Sequence, residues 1–386
     1  MKFRLMFAAA AIASLVVAGC GSSSSSSSKS ASSGGSSGGK CSASIGIEAP
    51  ITGKVAVLGD EQLHFAELAV QMDNAANGTN ISLVQGDTQL TPSQAVTVTQ
   101  QFISNSKIVA VVGPAGSQEV LAVGPLFTRA GVPFITGSAT KTTLTGGQFP
   151  TFFRVVSKDS VQGPEDAGYI NAHLHPKALM IVDDQEAYST GLVSAMAPVF
   201  KAAGVSVDHE SVSQTVTDFS SLVSKVTPAT TVVVLPWQVA ANAQQFGRNL
   251  AEQHKKAVIF GTDGLYSPGT FTIPGSYVSS FGPDITAIPA DSTIAQQAKA
   301  KYGTFGTFGP PVFAATHVID QAIASVCKSG QTPSRSNVLS AIKQTDESSS
   351  ILGQPIKFDS HGDLIGAKWF LFKIGPKGAY QLVTNS

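Results

Sequence analysis

Residues 108–136 read IVAVVGPAGSQEVLAVGPLFTRAGVPFIT, and this stretch decides the fold class. Ile108–Val112 is a fully apolar run, the mark of a strand covered on both faces. Gly113-Pro114-Ala115-Gly116-Ser117 turns the chain into a predicted helix, Gln118–Ala130, and Pro133–Thr136 is a second short strand. Such β-α-β units build parallel sheets with helices on both sides.

The same rhythm extends in both directions. Upstream, Ser44–Glu48 and Ile81–Gln85 read as strands, with Leu63, Ala66, Ala69 and Val70 on one helical face between them. Thr91-Pro92-Ser93-Gln94 carries helix-start signals: a Thr cap, proline at the first helical position and a Gln reaching back. The rhythm pauses near Phe153–Asp159, then a second series begins with strands Ala178–Val182, Val205–Glu210, Thr231–Leu235 and Ala257–Phe260. Helical patterns lie between them at Ser189–Ala203, around Phe219–Val226, and from Val239 to about Gln253. A long helix spans Val312–Cys327, and Ile356–Asp359, Ala367–Ile374 and Tyr380–Val383 read as an antiparallel finish. The chain's 386 residues exceed what one core usually serves, which agrees with two α/β domains.

The N-terminus has its own logic. Lys2 and Arg4 precede an apolar run, Leu5–Val17, too short to span a bilayer core of ~30 Å comfortably and suited to a signal peptide. It ends in Val17-Ala18-Gly19-Cys20, which resembles the bacterial lipobox and implies lipidation of Cys20. Gly21–Gly39 is nearly all Ser and Gly, a flexible tether. Two cysteines remain, Cys41 and Cys327; an exported chain can pair them, and two buried free thiols are the alternative.

With 25 basic and 25 acidic residues, the chain lacks the basic surface that nucleic acid requires. His173 and His175 have no Cys or compact carboxylate set beside them to complete a metal site, and Asp183-Asp184 reads as solvated turn carboxylates. Ser117 lacks a Gly-x-Ser-x-Gly elbow, and no nucleotide-binding loop occurs. No cofactor, metal or catalysis is expected.

In open α/β sheets, ligands bind beyond the carboxyl ends of strands. Ser117 and Thr140 stand in small-residue turns of the first series and together can hold a carboxylate. In the second series, Asp263 of Gly261-Thr262-Asp263-Gly264 can accept from an ammonium, Tyr188 opens a helix, and Trp237 stands where an aromatic wall would be.

The chain resembles the leucine/isoleucine/valine-binding protein family, type 1 periplasmic binding proteins of ATP-driven (ABC) amino-acid importers. The resemblance runs from about Ser44 to the C-terminus. It rests on Ile47–Gly53, Gly59-Asp60, Gly86-Asp87, Gly113–Ser117, Gly131–Ile135, Ser138-Ala139-Thr140, Asp183–Gly191, Asp218-Phe219-Ser220 and Gly261–Gly264. It implies two doubly wound parallel-sheet lobes joined by three crossovers: residues 41–157 with 283–352, and 158–282 with 353–386, behind a signal peptide (1–20) and a tether (21–40). It implies that Ser117, Thr140 and the backbone of Ser138 and Ala139 hold a ligand carboxylate, while Tyr188 and Asp263 hold its ammonium. Leu58 and Trp237 stand where relatives often place tyrosines, and Asp263 replaces a longer glutamate. The expectation is an extracytoplasmic, lipid-anchored binding protein that delivers an apolar, branched-chain or aromatic amino acid to an ABC permease. A sensor signalling through a separate membrane receptor is the alternative.

Overall fold

The apolar runs repeat at short intervals, and each becomes a strand whose alternate residues face opposite helical layers. The structure, a computed structural model, describes residues 41–385; the expected signal segment, Cys20 and the Ser/Gly tether lie outside the described residues. Strands β1 (Ser42–Ala49), β2 (Asn80–Asp87), β3 (Ile108–Val112), β4 (Phe134–Thr136) and β5 (Phe152–Arg154) form a parallel sheet in the order β2-β1-β3-β4-β5. Helices α1 (Ala56–Asn77), α2 (Pro92–Ser104) and α3 (Ser117–Ala130) connect its strands.

The second sheet repeats this winding. Strands β6 (Ala178–Asp183), β7 (Ser206–Ser211), β8 (Thr230–Leu235), β9 (Val258–Gly261) and β10 (Tyr277–Ser280) run parallel in the order β7-β6-β8-β9-β10. Their helices are α4 (Asp159–Tyr169), α5 (Ala187–Ala202), α6 (Ser220–Ser224) and α7 (Ala240–Glu252). The chain then returns to the first sheet with α8 (Ser292–Tyr302), α9 (Gly309–Lys328), α10 (Arg335–Ile342) and a hairpin of β11 (Asp346–Glu347) and β12 (Ile356–Lys357). A final crossing adds the antiparallel pair β13 (Phe370–Ile374) and β14 (Tyr380–Asn385) beside β10. Two lobes and three crossings result.

Alternation explains the layers. Leu179 and Ile181 of β6, with Val232 and Val234 of β8, pack on Leu192, Met196 and Phe200 of α5. Their neighbours Met180, Val182, Val233 and Leu235 face Val223 of α6 with Phe246 and Leu250 of α7. In the first lobe, α1 lies against α9, and Phe65, Ala69, Val312 and Ile319 share one core with Ile45 and Ile47 of β1.

Two sequence expectations change, and one helix has no counterpart among them. The Thr91 hydroxyl does not cap α2; it donates to the Thr88 carbonyl at 3.2 Å. Ile356–Asp359 does not join the antiparallel finish, because Ile356 and Phe358 bury their side chains in the first lobe's core and β12 pairs with β11. Helix α4 escapes the periodicity because its inward face is Asp159, Gln162, Gly163 and Asp166, polar or small rather than apolar.

Cys41 and Cys327 form a disulfide with Cα atoms 5.9 Å apart, fastening the start of β1 to the end of α9. Converting both to serine is expected to lower unfolding stability by about 2–4 kcal/mol. Urea titration should show a lower midpoint; coincident curves for the oxidised protein and the double variant would show that the bridge contributes nothing.

Candidate functional site

Both lobes place their candidate turns at the carboxyl ends of parallel strands, and the lobes meet there through the Gln118–Gln238 and Lys141–Ala187 hydrogen bonds. In the first lobe, β3 leads into α3 through Gly113, whose φ of +102° and approach to the Glu48 carbonyl leave no room for a Cβ, which would lie 2.2 Å from that oxygen. Glu119 then ties the turn by accepting the Gly116 N–H at 2.7 Å; burial pushes its pKa up to about 7. The Lys141 N–H donates to Ser117 Oγ at 3.1 Å, so the Ser117 hydroxyl proton is left to donate elsewhere.

The following loop is different from the expectation in one respect. The N–H groups of Ser138 and Ala139 both donate to Thr136 Oγ1, at 3.2 and 3.1 Å, and Ser138 Oγ bonds Gln62 and the Ala115 carbonyl. These groups shape the loop and are already used. Thr140, fully buried, lies with its hydroxyl against the carboxylate of Asp159, whose own N–H donates to the Thr140 carbonyl at 2.8 Å.

Arg154, at the end of β5, holds this loop from behind. Its guanidinium donates to the carbonyls of Ala139 and Lys141 and to Thr145 Oγ1, and pairs with Asp363 at 2.6 Å. Lys158 reaches the other oxygen of Asp363, also at 2.6 Å. Asp363 belongs to the segment that crosses back toward β13, so one buried cation joins the ligand-side loop to two of the three crossings.

The second lobe contributes acid. Asp263 follows β9 and is buried; its Oδ1 accepts from Gln162 Nε2 at 2.6 Å and from the Tyr188 hydroxyl at 2.8 Å. Burial pushes its pKa up to about 7, against those two hydrogen bonds and with help from the nearby charge of Asp159. Burial likewise raises Asp159 to about 6, opposed by the Thr140 hydroxyl and the charges of Arg154 and Lys141. The Tyr188 hydroxyl also accepts the Gly264 N–H at 3.0 Å, so its one proton is committed to Asp263. Tyr188 therefore orients the carboxylate.

The other sequence candidates divide. Leu58 lines a cavity of about 170 Å³ between the two lobes, next to Gly264 and Gln238. Trp237 does not form a cleft wall: its ring packs between Phe219 and Phe246, and its N–H donates to the Val182 carbonyl at 2.7 Å. Asp183 and Asp184 are buried rather than solvated; Asp183 bonds His209 and Ser211, and Asp184 bonds Gln214. Among the described residues no group of three or more His, Cys, Asp or Glu side chains could hold a metal ion, and no helix is long and apolar enough to cross a membrane.

Four participants escaped the sequence reading: Arg154, Asp159, Gln162 and Gln238. The first three lie where the β-α rhythm paused, and Asp159 and Gln162 sit one turn apart on α4. Polar residues on the inward face of a helix were the available signal. Gln238 adjoins Trp237, and a lone glutamine after a strand carries no local signal of its own.

Over residues 42–379 the chain matches the family described as periplasmic binding protein. It is 28% identical over 338 residues to a Leu/Ile/Val-binding protein homolog of Brucella melitensis, covering 86% of this chain and 90% of that one. An amino acid binding protein of Pseudomonas aeruginosa is 26% identical, over 87% of this chain and 91% of that one. The crystal structure of the leucine-binding protein LivK of Thermotoga maritima superposes with a TM-score of 0.81 at 21% identity, covering 89% of this chain and 98% of that one. Members of this family are solute-binding proteins rather than enzymes, and the chain belongs to the periplasmic binding protein family.

Proposed function

We propose that this protein is the lipid-anchored, extracytoplasmic binding component of an ABC importer, and that it holds an α-amino acid by its zwitterion between residues 41–157 with 283–352 and residues 158–282 with 353–386. The observation that carries this reading is the meeting of unlike groups at one buried point. The Ser117 and Thr140 hydroxyls come from one lobe, and the Asp159 and Asp263 carboxylates from the other. The relatives named for Leu/Ile/Val and amino acid binding support the ligand class.

A ligand ammonium between Asp159 and Asp263 supplies the positive charge that two buried carboxylates lack; once it engages Asp159, the Thr140 hydroxyl is released to join Ser117 in donating to the ligand carboxylate. Each lobe satisfies only one end of the zwitterion, so holding both ends at once favours closure. Lys141 Nζ, 3.1 Å from the Ala187 carbonyl, spans the lobes beside this point. The Val17–Cys20 motif supports a lipid anchor, with the Ser/Gly segment carrying the lobes clear of the membrane.

Three outcomes are expected. A thermal-shift panel of the twenty amino acids should yield at least one stabilising ligand, adding about 2.7 kcal/mol at a hundredfold excess over Kd; Asp263→Ala should weaken that ligand by about 2–5 kcal/mol. A panel without response, or a shift that survives Asp263→Ala, refutes the zwitterion site.

The pH dependence has a definite sign. Asp263 and Asp159 have free-state values of about 7 and about 6, raised by burial, and an ammonium between them lowers both. Affinity should therefore fall as pH drops through 7 toward 6, and binding near pH 6.5 should release protons. Calorimetry in buffers of different ionisation enthalpy reads this directly; proton uptake is the contrary result.

Finally, Cys20→Ser should move the protein from the membrane fraction to the soluble fraction of its host, and an unchanged distribution would remove the anchor.

A further inference from the structure

Beside the proposed zwitterion site, the cavity of about 170 Å³ has both apolar and polar walls. Leu58, Phe305 and Phe308 supply apolar surface; Gln238, Lys54 and Glu61 supply amide and charged groups, beside several hydroxyls. It adjoins the zwitterion site through Gly264, which bonds Tyr188, and through Gln238, which bonds the residue after Ser117. A ligand side chain leaving that site has this space to enter.

The orientation of Gln238 is fixed by a relay. Gln214 Nε2 donates to Asp184 Oδ2 at 2.8 Å, and a carboxylate has only acceptors to offer, so this end of Gln214 must be its NH₂. The same NH₂ donates to Gln238 Oε1 at 3.1 Å, and Gln118 Nε2, reaching across from the other lobe, donates to that oxygen at 2.9 Å. Two donors thus occupy the Gln238 oxygen. Turning the amide over would set its NH₂ against the NH₂ of Gln214, which Asp184 holds in place. Its Nε2 has no acceptor among the described residues.

The rest of the polar wall has the same character. Glu61 is the one carboxylate among the described residues lining the cavity, and its oxygens accept the N–H groups of Gly306 and Gly309 at 2.7 and 2.6 Å. Lys54 donates to the Gln214 carbonyl at 3.2 Å and keeps two further N–H donors. The charged and amide groups of this wall thus leave N–H donors open while the Glu61 oxygens are taken; the hydroxyls of Tyr266, Ser267, Thr270 and Thr304 can serve in either sense.

We infer that Gln238 determines specificity: its NH₂ reads an acceptor oxygen on the ligand, so the preferred amino acid has an aliphatic stem ending in a carboxamide or carboxylate. This rests on the zwitterion reading, and it replaces the apolar side chain expected from sequence. A branched aliphatic ligand would leave the Gln238 amide buried without a partner, a larger handicap than a lost methylene contact.

Calorimetric titration of the purified protein with glutamine, glutamate, asparagine, leucine, isoleucine, valine and phenylalanine tests it. Glutamine or glutamate should bind about tenfold or more tighter than leucine. Gln238→Leu should erase or reverse that ratio, and Gln214→Leu, which frees the Gln238 amide to turn, should reduce it. Gln238→Met, of matched length, serves if Gln238→Leu does not fold. Leucine binding as tightly as glutamine and glutamate, or a ratio unchanged in the Gln238 variants, overturns this inference and leaves the zwitterion site standing. Binding of none of the seven overturns this inference, and silence across all twenty amino acids overturns the zwitterion site as well.

Discussion

Asp159 and Asp263 are carboxylates buried within each other's field, and neither faces a buried cation of full strength in the cleft. Removing a carboxylate from water costs several kcal/mol unless charge or donors compensate, and here the compensation is partial. Gln162 and Tyr188 hold Asp263, while Thr140 and the more distant Arg154 and Lys141 moderate Asp159. The raised pKa values of both groups express that shortfall. A site that is electrostatically incomplete when empty has a built-in preference for a cationic group, and the surrounding architecture keeps the two acids from turning away to water.

That architecture works through Arg154. Its guanidinium binds carbonyls on the loop carrying Thr140 and pairs with Asp363 on a distant crossing, while the Arg154 N–H bonds the Gly362 carbonyl at 2.9 Å. Loop, first crossing and third crossing are therefore one mechanical unit. A change in the angle between the lobes cannot leave the Thr140 loop unaffected, so the proposed ligand contact is physically coupled to closure. The tie is a buried ion pair with every guanidinium nitrogen engaged, the arrangement in which such a pair resists rearrangement.

The two ends of the cleft are built on different principles. At the end that holds Ser117, Thr140, Asp159 and Asp263, the polar groups stand at strand ends and helix starts. The Gln238 end is a relay of amides, each oriented by its neighbour and ultimately by Asp184. In the proposed reading, backbone recognition belongs to the fold's regular elements, while side-chain preference belongs to a few residues on the loops between them. Similarity in fold to other binding proteins extends to the first part and carries no commitment about the second.

The sequence by itself determined the α/β class, the two series of strands and most strand positions, because runs such as Ile108–Val112 and Thr231–Leu235 have few other ways to be buried. It also marked Ser117, Thr140 and Asp263, since strand-end turns are local features. It could not reveal α4, whose inward face is polar, and so it missed Asp159 and Gln162. Trp237 shows the opposite error: an aromatic at a strand end suggests a wall, yet the neighbouring Phe219 and Phe246 draw its ring into the core. Only the tertiary structure decided these points. Whether a polar side chain turns toward a cleft, and whether its partners there are already taken, depends on residues far away in the chain, as Arg154 with Asp363 and Gln118 with Gln238 make plain.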